Sequence, residues 1–240
     1  FLQTTRPDRP CEDIVVTNCT FRSRWAGLRL GLLSRGDFSR VCVSNCIFHD
    51  IGDAGLKIQV CEGGTLQNMV FSNLVMERVP RPVFITLGRQ RCCVDAPAGL
   101  PPIGRIRRLH FHGITVDNTE IGFDSHFVIT GIPVGLIEDV SLQGIHMVSG
   151  GGCREGDFLQ GDIHELEGEV LQGHWPEYHC FGGILPASGL YARHVRGLTV
   201  AGCRFAVEQQ DERAAVETVD VVFTEGSDHP DFQPAAQGTK

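Results

Sequence analysis

Apolar and polar residues alternate along the chain in short runs, and the runs recur. "IVVTNCTF" (14–21), "VCVSNCIF" (41–48) and "MVFSNLVM" (69–76) are near copies of one another, and weaker copies follow at "LHFHGITV" (109–116), "VSLQGIHM" (140–147) and "LTVAGCRF" (198–205). A second alternating run trails most of them: "GLRLGL" (27–32), "GLKIQV" (55–60), "PVFITL" (82–87), "HFVITG" (126–131), "GLYARH" (189–194) and "AVETVD" (215–220). Period-two alternation bounded by Gly, Asn and Asp predicts strands, at least two per repeat. Such repeats suit an all-β parallel β-helix over residues 1–222, each coil stacked on the last at about 4.8 Å. A leucine-rich repeat horseshoe also carries one asparagine per coil. It has one strand per repeat and a tighter leucine framework, and the two-strand repeats with their variable spacing argue against it.

Stacked coils line up equivalent residues in columns. Asn18, Asn45 and Asn73 are expected at one turn, where asparagine tolerates left-handed backbone angles and its amide can bond to the next coil. Cys19, Cys46, Leu74, Ile114, Ile145 and Cys203 follow as an interior column. In the second run Leu28 and Leu30, Leu56 and Ile58, and Val83 and Ile85 point inward. That leaves Arg29, Lys57 and Phe84, with Gln59 beside Thr86, facing solvent. Arg29 and Lys57 on consecutive coils repel unless a negative group lies between them. Asp37, Asp50, Asp53 and Glu62 are the nearby candidates to neutralise them. The other reading is a cationic floor in a shallow groove, suited to the carboxylates of uronic acids. Two segments depart from the strand pattern. Ile163, Leu166, Val170 and Leu171 have helical spacing and predict a short helical excursion near 162–172. The stretch 223–240 is polar and aperiodic and predicts a disordered tail.

Charge narrows the partners. The chain carries 29 acidic and 21 basic residues, a formal net charge of −8, so no basic field attracts nucleic acid or an anionic membrane surface. Its apolar runs are far shorter than the roughly 20 residues of a membrane span. The ten cysteines fall partly inside strand runs and are expected as buried free thiols rather than a disulfide framework, which leans toward a reducing, cytoplasmic compartment. Any signal peptide would precede Phe1. Zinc-type spacing is missing, since Cys92 and Cys93 are adjacent, and neither metal nor cofactor is expected. His110 and His112 alternate with apolar neighbours and are expected to face solvent. "GGGC" (150–153) lacks the Lys-Ser/Thr of a phosphate loop and reads as a flexible loop.

Several stretches carry a family likeness. They are the strand with Asn18-Cys19 and the Gly27-Leu28-x-Leu30-Gly31 run, "GDFSRVCVSNCIF" (36–48), "GLKIQ" (55–59), "GGTLQNMVFSNLVMERVPRPVFI" (63–85) and, most specifically, "WPEYHCFGGILPASGLYARHVRGLTV" (175–200). Together these resemble bacterial members of glycoside hydrolase family 28, the polygalacturonase-type pectin hydrolases, over roughly residues 1–222. The resemblance implies a right-handed, single-stranded parallel β-helix of the pectin-lyase-like type. It also implies inverting hydrolysis of galacturonate or rhamnogalacturonan linkages, with an acidic poly- or oligosaccharide as partner. Inverting chemistry uses two carboxyl groups about 6.5–9.5 Å apart, one to protonate the leaving oxygen and one to activate water. By the resemblance these acids would lie upstream of Phe1, so this chain alone is expected to be inactive. The family's Gly-His-Gly motif falls on Trp25, Ala26 and Gly27, with Ala26 at the histidine position. Its Arg-Ile-Lys motif falls on Lys57, Ile58 and Gln59. Trp25, Arg29, Lys57 and Gln59 are the expected substrate-binding residues, and a carbohydrate-binding or structural β-helix that does not cleave is the alternative.

Overall fold

In the computed structural model, which describes residues 1–93, 97–168 and 176–228, the alternating runs are strands of one parallel sheet that curls into stacked coils. The first coil is β1 (Cys11–Thr17), β2 (Thr20–Ser23) and β3 (Leu28–Gly31). In later coils the first two strands run together as one bent strand. Thus β4 (Phe38–Ile51) leads to β5 (Ala54–Val60), and β6 (Thr65–Glu77) leads to β7 (Arg81–Leu87) and the short β8 (Arg89–Gln90). Then β9 (Arg105–Asn118) leads to β10 (Phe127–Thr130). After β11 (Ile137–Gly151) the chain makes a long excursion containing β12 (Glu167–Gly168), which pairs with β8. Coiling resumes in β13 (Ala187–Ala201), β14 (Arg204–Gln209) and β15 (Ala214–Phe223). The molecule is all-β and β-helix-like, and each coil has three faces.

Two of the three faces are formed by the octapeptides, and the second runs form the third. Inward residues Val41 and Val43 are two apart, the step across Asn45 to Cys46 is three, and the step to Phe48 is two again. A phase slip of one residue in a strand moves the following side chains to the other surface unless the backbone turns. Here it turns. Asn18, Asn45 and Asn73 have φ of 56°, 54° and 53°, and Gly113, Gly144 and Gly202 continue the column at 63°, 58° and 58°. Left-handed angles cost an ordinary L-residue about 1–2 kcal/mol, and Asn and Gly are the residues that adopt them. The Asn73 amide also donates to Asn45 Oδ1 at 3.3 Å, one coil to the next.

Inside the coils, residues stack on their equivalents. Val41, Met69, Leu109, Val140 and Leu198 are consecutive partners in register, and all are buried. The rings of Phe71 and Phe111 stack at 4.7 Å and 6°. Cys46, Leu74, Ile114, Ile145 and Cys203 are buried, as the column predicts. Cys19 is exposed, against expectation, because it stands on the first coil with a neighbouring coil on one side only. All ten cysteines are free.

Three other expectations meet the structure. Residues 162–166 are irregular and Glu167–Gly168 form β12, so this part of the predicted helix is extended; Val170 and Leu171 lie outside the described residues. Leu166 and Ile163 satisfy their hydrophobicity by packing on the outside of the coils rather than along a helix face. In "GGGC" the first two glycines end β11, Gly151 pairing with Gln209. At the polar end of the chain, Thr224 and Asp228 donate backbone bonds to Leu198 and Val200 at 2.9 and 2.8 Å, and residues 229–240 lie outside the described residues.

Candidate functional site

The outer column of the third face runs Arg29, Lys57, Phe84, Val128, Tyr191, Glu217, each in register with the next. Arg29 and Lys57 are thus on consecutive coils, as alternation predicts. The open groove over them is not there for most of its length. Leu159, Ile163, Leu166, Tyr178, Phe181 and Leu185, all from the excursion, pack on Phe84, Val128 and Tyr191. Arg193 fastens this cover, donating to the carbonyls of Ile163 and His164 at 2.8 and 3.1 Å while its Nε reaches Thr130 Oγ1 at 2.7 Å. Phe84, Gln59 and Thr86, expected in solvent, are fully buried, and Lys57 is 1% exposed. Apolar surface at Phe84 and Tyr191 drives the closure, since burying such rings is worth about 1.5–3 kcal/mol each.

The first-coil end of the column stays open. A cleft of about 630 Å³ lies there, lined among others by Arg24, Trp25, Ala26, Arg29, Asp53, Glu177 and Tyr178. Trp25 is 77% exposed. The Arg24 side chain, also exposed, makes no hydrogen bond or ion pair among the described residues. At this cleft an exposed indole face and a cationic side chain lie side by side, one apolar and flat and the other able to pair with an anion.

The floor is a tight ionic network. Glu177 bridges two coils: its Oε1 accepts from Arg29 Nη2 and its Oε2 from Lys57 Nζ, and Asp53 Oδ2 accepts from Lys57 as well. Gln59 completes the set, accepting from Arg29 Nε at 3.0 Å and donating to Pro176 O at 2.7 Å. Burial pushes the Lys57 ammonium down to about 8, against the upward pull of Asp53. Burial likewise lowers the Arg29 guanidinium, with Asp53 opposing. Of the four acids considered from sequence, only Asp53 pairs with these cations. Asp50 serves Arg78 and Arg22, Asp37 accepts from Thr65 N, and Glu62 accepts from the amides of Cys92 and Cys93. The main neutraliser, Glu177, was not foreseen. It lies 148 residues from Arg29, on an aperiodic segment that no column links to the coils.

Also lining the cleft, Arg81 stacks on the Tyr178 ring at 4.1 Å and pairs with Asp124 at 2.6 Å. The Tyr178 hydroxyl meets His126 Nε2 at 2.9 Å and accepts from Leu185 N at 3.1 Å. Complete burial holds the His126 imidazole well below its ordinary range, so it is neutral, and burial raises the Tyr178 phenol. These contacts anchor the cover to the coils. His110 and His112 face solvent on β9, away from this site. Among the described residues no group of three or more His, Cys, Asp or Glu side chains could hold a metal ion, and no helix is long and apolar enough to cross a membrane.

The fold and cleft define a β-helix-like protein with a partly covered third face. Comparison with protein-family models gives no match, and comparison with curated proteins and with solved structures gives none either.

Proposed function

We propose that the chain forms part of a right-handed β-helix of the glycoside hydrolase family 28 type, and that its cleft binds an acidic, pectic oligosaccharide. The observation that carries this reading is the pair at the cleft mouth, Trp25 exposed beside Arg24 with no partner among the described residues. An indole face offers a platform to the apolar side of a sugar ring, and a guanidinium offers a bidentate partner to a uronate carboxylate. The clamped floor argues for binding rather than cleavage by the residues at hand. Inverting hydrolysis needs two carboxyl groups free to act across the scissile bond, whereas Asp53, Glu177 and Asp124 are each engaged in an ion pair. The hydrolytic half of the family reading is therefore not carried by these three residues. In calorimetry against oligogalacturonate, Trp25→Ala and Arg24→Ala should each weaken binding by about 1–3 kcal/mol. Arg24→Ala should leave binding of a neutral galactan unchanged. Equal affinity of wild type and the double variant for oligogalacturonate would sink the reading.

A further inference from the structure

Glu177 sits where a ligand's carboxylate would sit. Its two oxygens reach two different cations, Arg29 and Lys57, on consecutive coils, and the residue itself lines the cleft below Trp25. Its neighbours in the chain are held by separate means. Pro176 O is bound by Gln59, and the Tyr178 hydroxyl is bound by His126 and Leu185 N. Rotation of the Glu177 side chain alone therefore frees the cradle without undocking the cover. During such a rotation Lys57 keeps Asp53, so its charge is never left alone in a buried place. Arg29, with 26% of its side chain exposed, opens directly onto the cleft.

Resting on the reading of the cleft as an acidic-sugar site, we infer that Glu177 is an exchangeable internal ligand, holding the Arg29–Lys57 cradle and yielding it to a sugar carboxylate. The exchange is like for like, one carboxylate for another, so it leaves no cation unpaired. It also sets specificity. A neutral sugar ring has nothing to offer the two cations in place of Glu177, so it stays at the Trp25 platform, whereas a uronate is drawn into the floor. An attached competitor acts at a high effective concentration, and removing it raises the apparent affinity by the factor it had suppressed.

The 240-residue chain offers a clean readout, because its only two lysines are Lys57 and Lys240. Glu177→Gln keeps the shape and one hydrogen-bonding oxygen while removing the charge. It should bind oligogalacturonate at least about fivefold more tightly than wild type and methyl-esterified oligogalacturonate equally well. With an amine-acylating reagent and peptide mass mapping, Lys57 of the variant should label faster relative to Lys240 than in wild type. Free galacturonate should restore its protection and galactose should not. Glu177→Ala, with its melting temperature checked, guards against a local effect of the new amide. If wild type binds oligogalacturonate through Trp25 but neither variant binds it more tightly, the exchange is wrong and the cleft reading stands. If no form binds the oligosaccharide yet galacturonate protects Lys57 in Glu177→Gln, the exchange stands and the oligosaccharide reading falls. Failure of galacturonate to protect Lys57 in both variants overturns the exchange outright.

Discussion

Arg29 and Lys57 occupy the same column, on the same sheet face, as Phe84, Val128 and Tyr191. One end of that column is a charged cleft with an exposed tryptophan, and its middle is a second hydrophobic core under the excursion between β11 and β13. The backbone does not cause the difference, since strands and register continue unbroken. Side-chain chemistry does. Aromatic and branched outward residues attract a cover that buries them, while cations attract only the acids at the cover's edge, Glu177 above all. The border between the two regimes is Lys57, whose ammonium lies 5.5 Å from the Phe84 ring centroid.

The comparison breaks most severely in the covered middle. Phe84→Ala removes a fully buried ring from between coil and cover, and large-to-small changes of this kind cost about 3–5 kcal/mol. Denaturant unfolding should show that loss, and hydrogen exchange should show faster exchange at 178–185 than in β6 or β9. A fall below 1 kcal/mol would mean that the cover is held by polar ties such as Arg193 rather than by its apolar seat.

At the border, Lys57→Met leaves Asp53 and Glu177 without their shared cation. Breaking a buried pair is costly, and because both acids keep some access to water the expected loss is roughly 2–3 kcal/mol. The ratio of the two losses measures how far the hydrophobic regime extends toward the cleft.

The smallest effect lies beyond the cleft mouth, at Asp50. Hydrogen bonds from Arg78 first, and His49 second, lower its carboxyl to about 2. A carboxyl with a lowered folded-state value contributes stability that is present above the unfolded value near 4 and lost as pH falls toward 2. Acid titration of stability should therefore lose a component in that window, and Asp50→Asn should remove it. A wild type and variant with parallel acid curves would show that the Arg78 pair is surface decoration.

Much of the coil geometry was legible in the chain. The six octapeptides, the second runs and the Asn18–Asn45–Asn73 turn were all signalled by two-residue alternation and by the side chains that accept left-handed angles. Even the extra face had a mark, the three-residue step from Val43 to Cys46. The neighbouring pair Arg29–Lys57 followed from register alone. What could not be read is what covers what. Glu177, Tyr178 and Phe181 lie in aperiodic chain, and their partners are fixed only when the excursion folds back over the coils, 120 residues away in sequence for Glu177 and Lys57 and 52 for Tyr178 and His126. The spacing of Ile163 and Leu166 suggested a helix because i, i+3 contacts also arise when irregular chain presses two apolar residues onto one surface. Cys19 was misjudged because a column predicts neighbours on both sides, which a first coil does not have.

The column of left-handed turns has a practical consequence for anyone who wants to rebuild the molecule. The corner it marks leaves one or two residues unpaired between neighbouring coils, so variation in coil length is confined to the other two corners. A foreign peptide spliced at Gly99, where an added Cβ would meet nothing within 4 Å, projects away from the wall. The same graft at Gly113, where φ is 63° and an added Cβ would lie 3.2 Å from Asn73 Oδ1, would throw every later coil out of step. The wall is a ruler of fixed pitch, and it accepts attachments along two edges but never along the third.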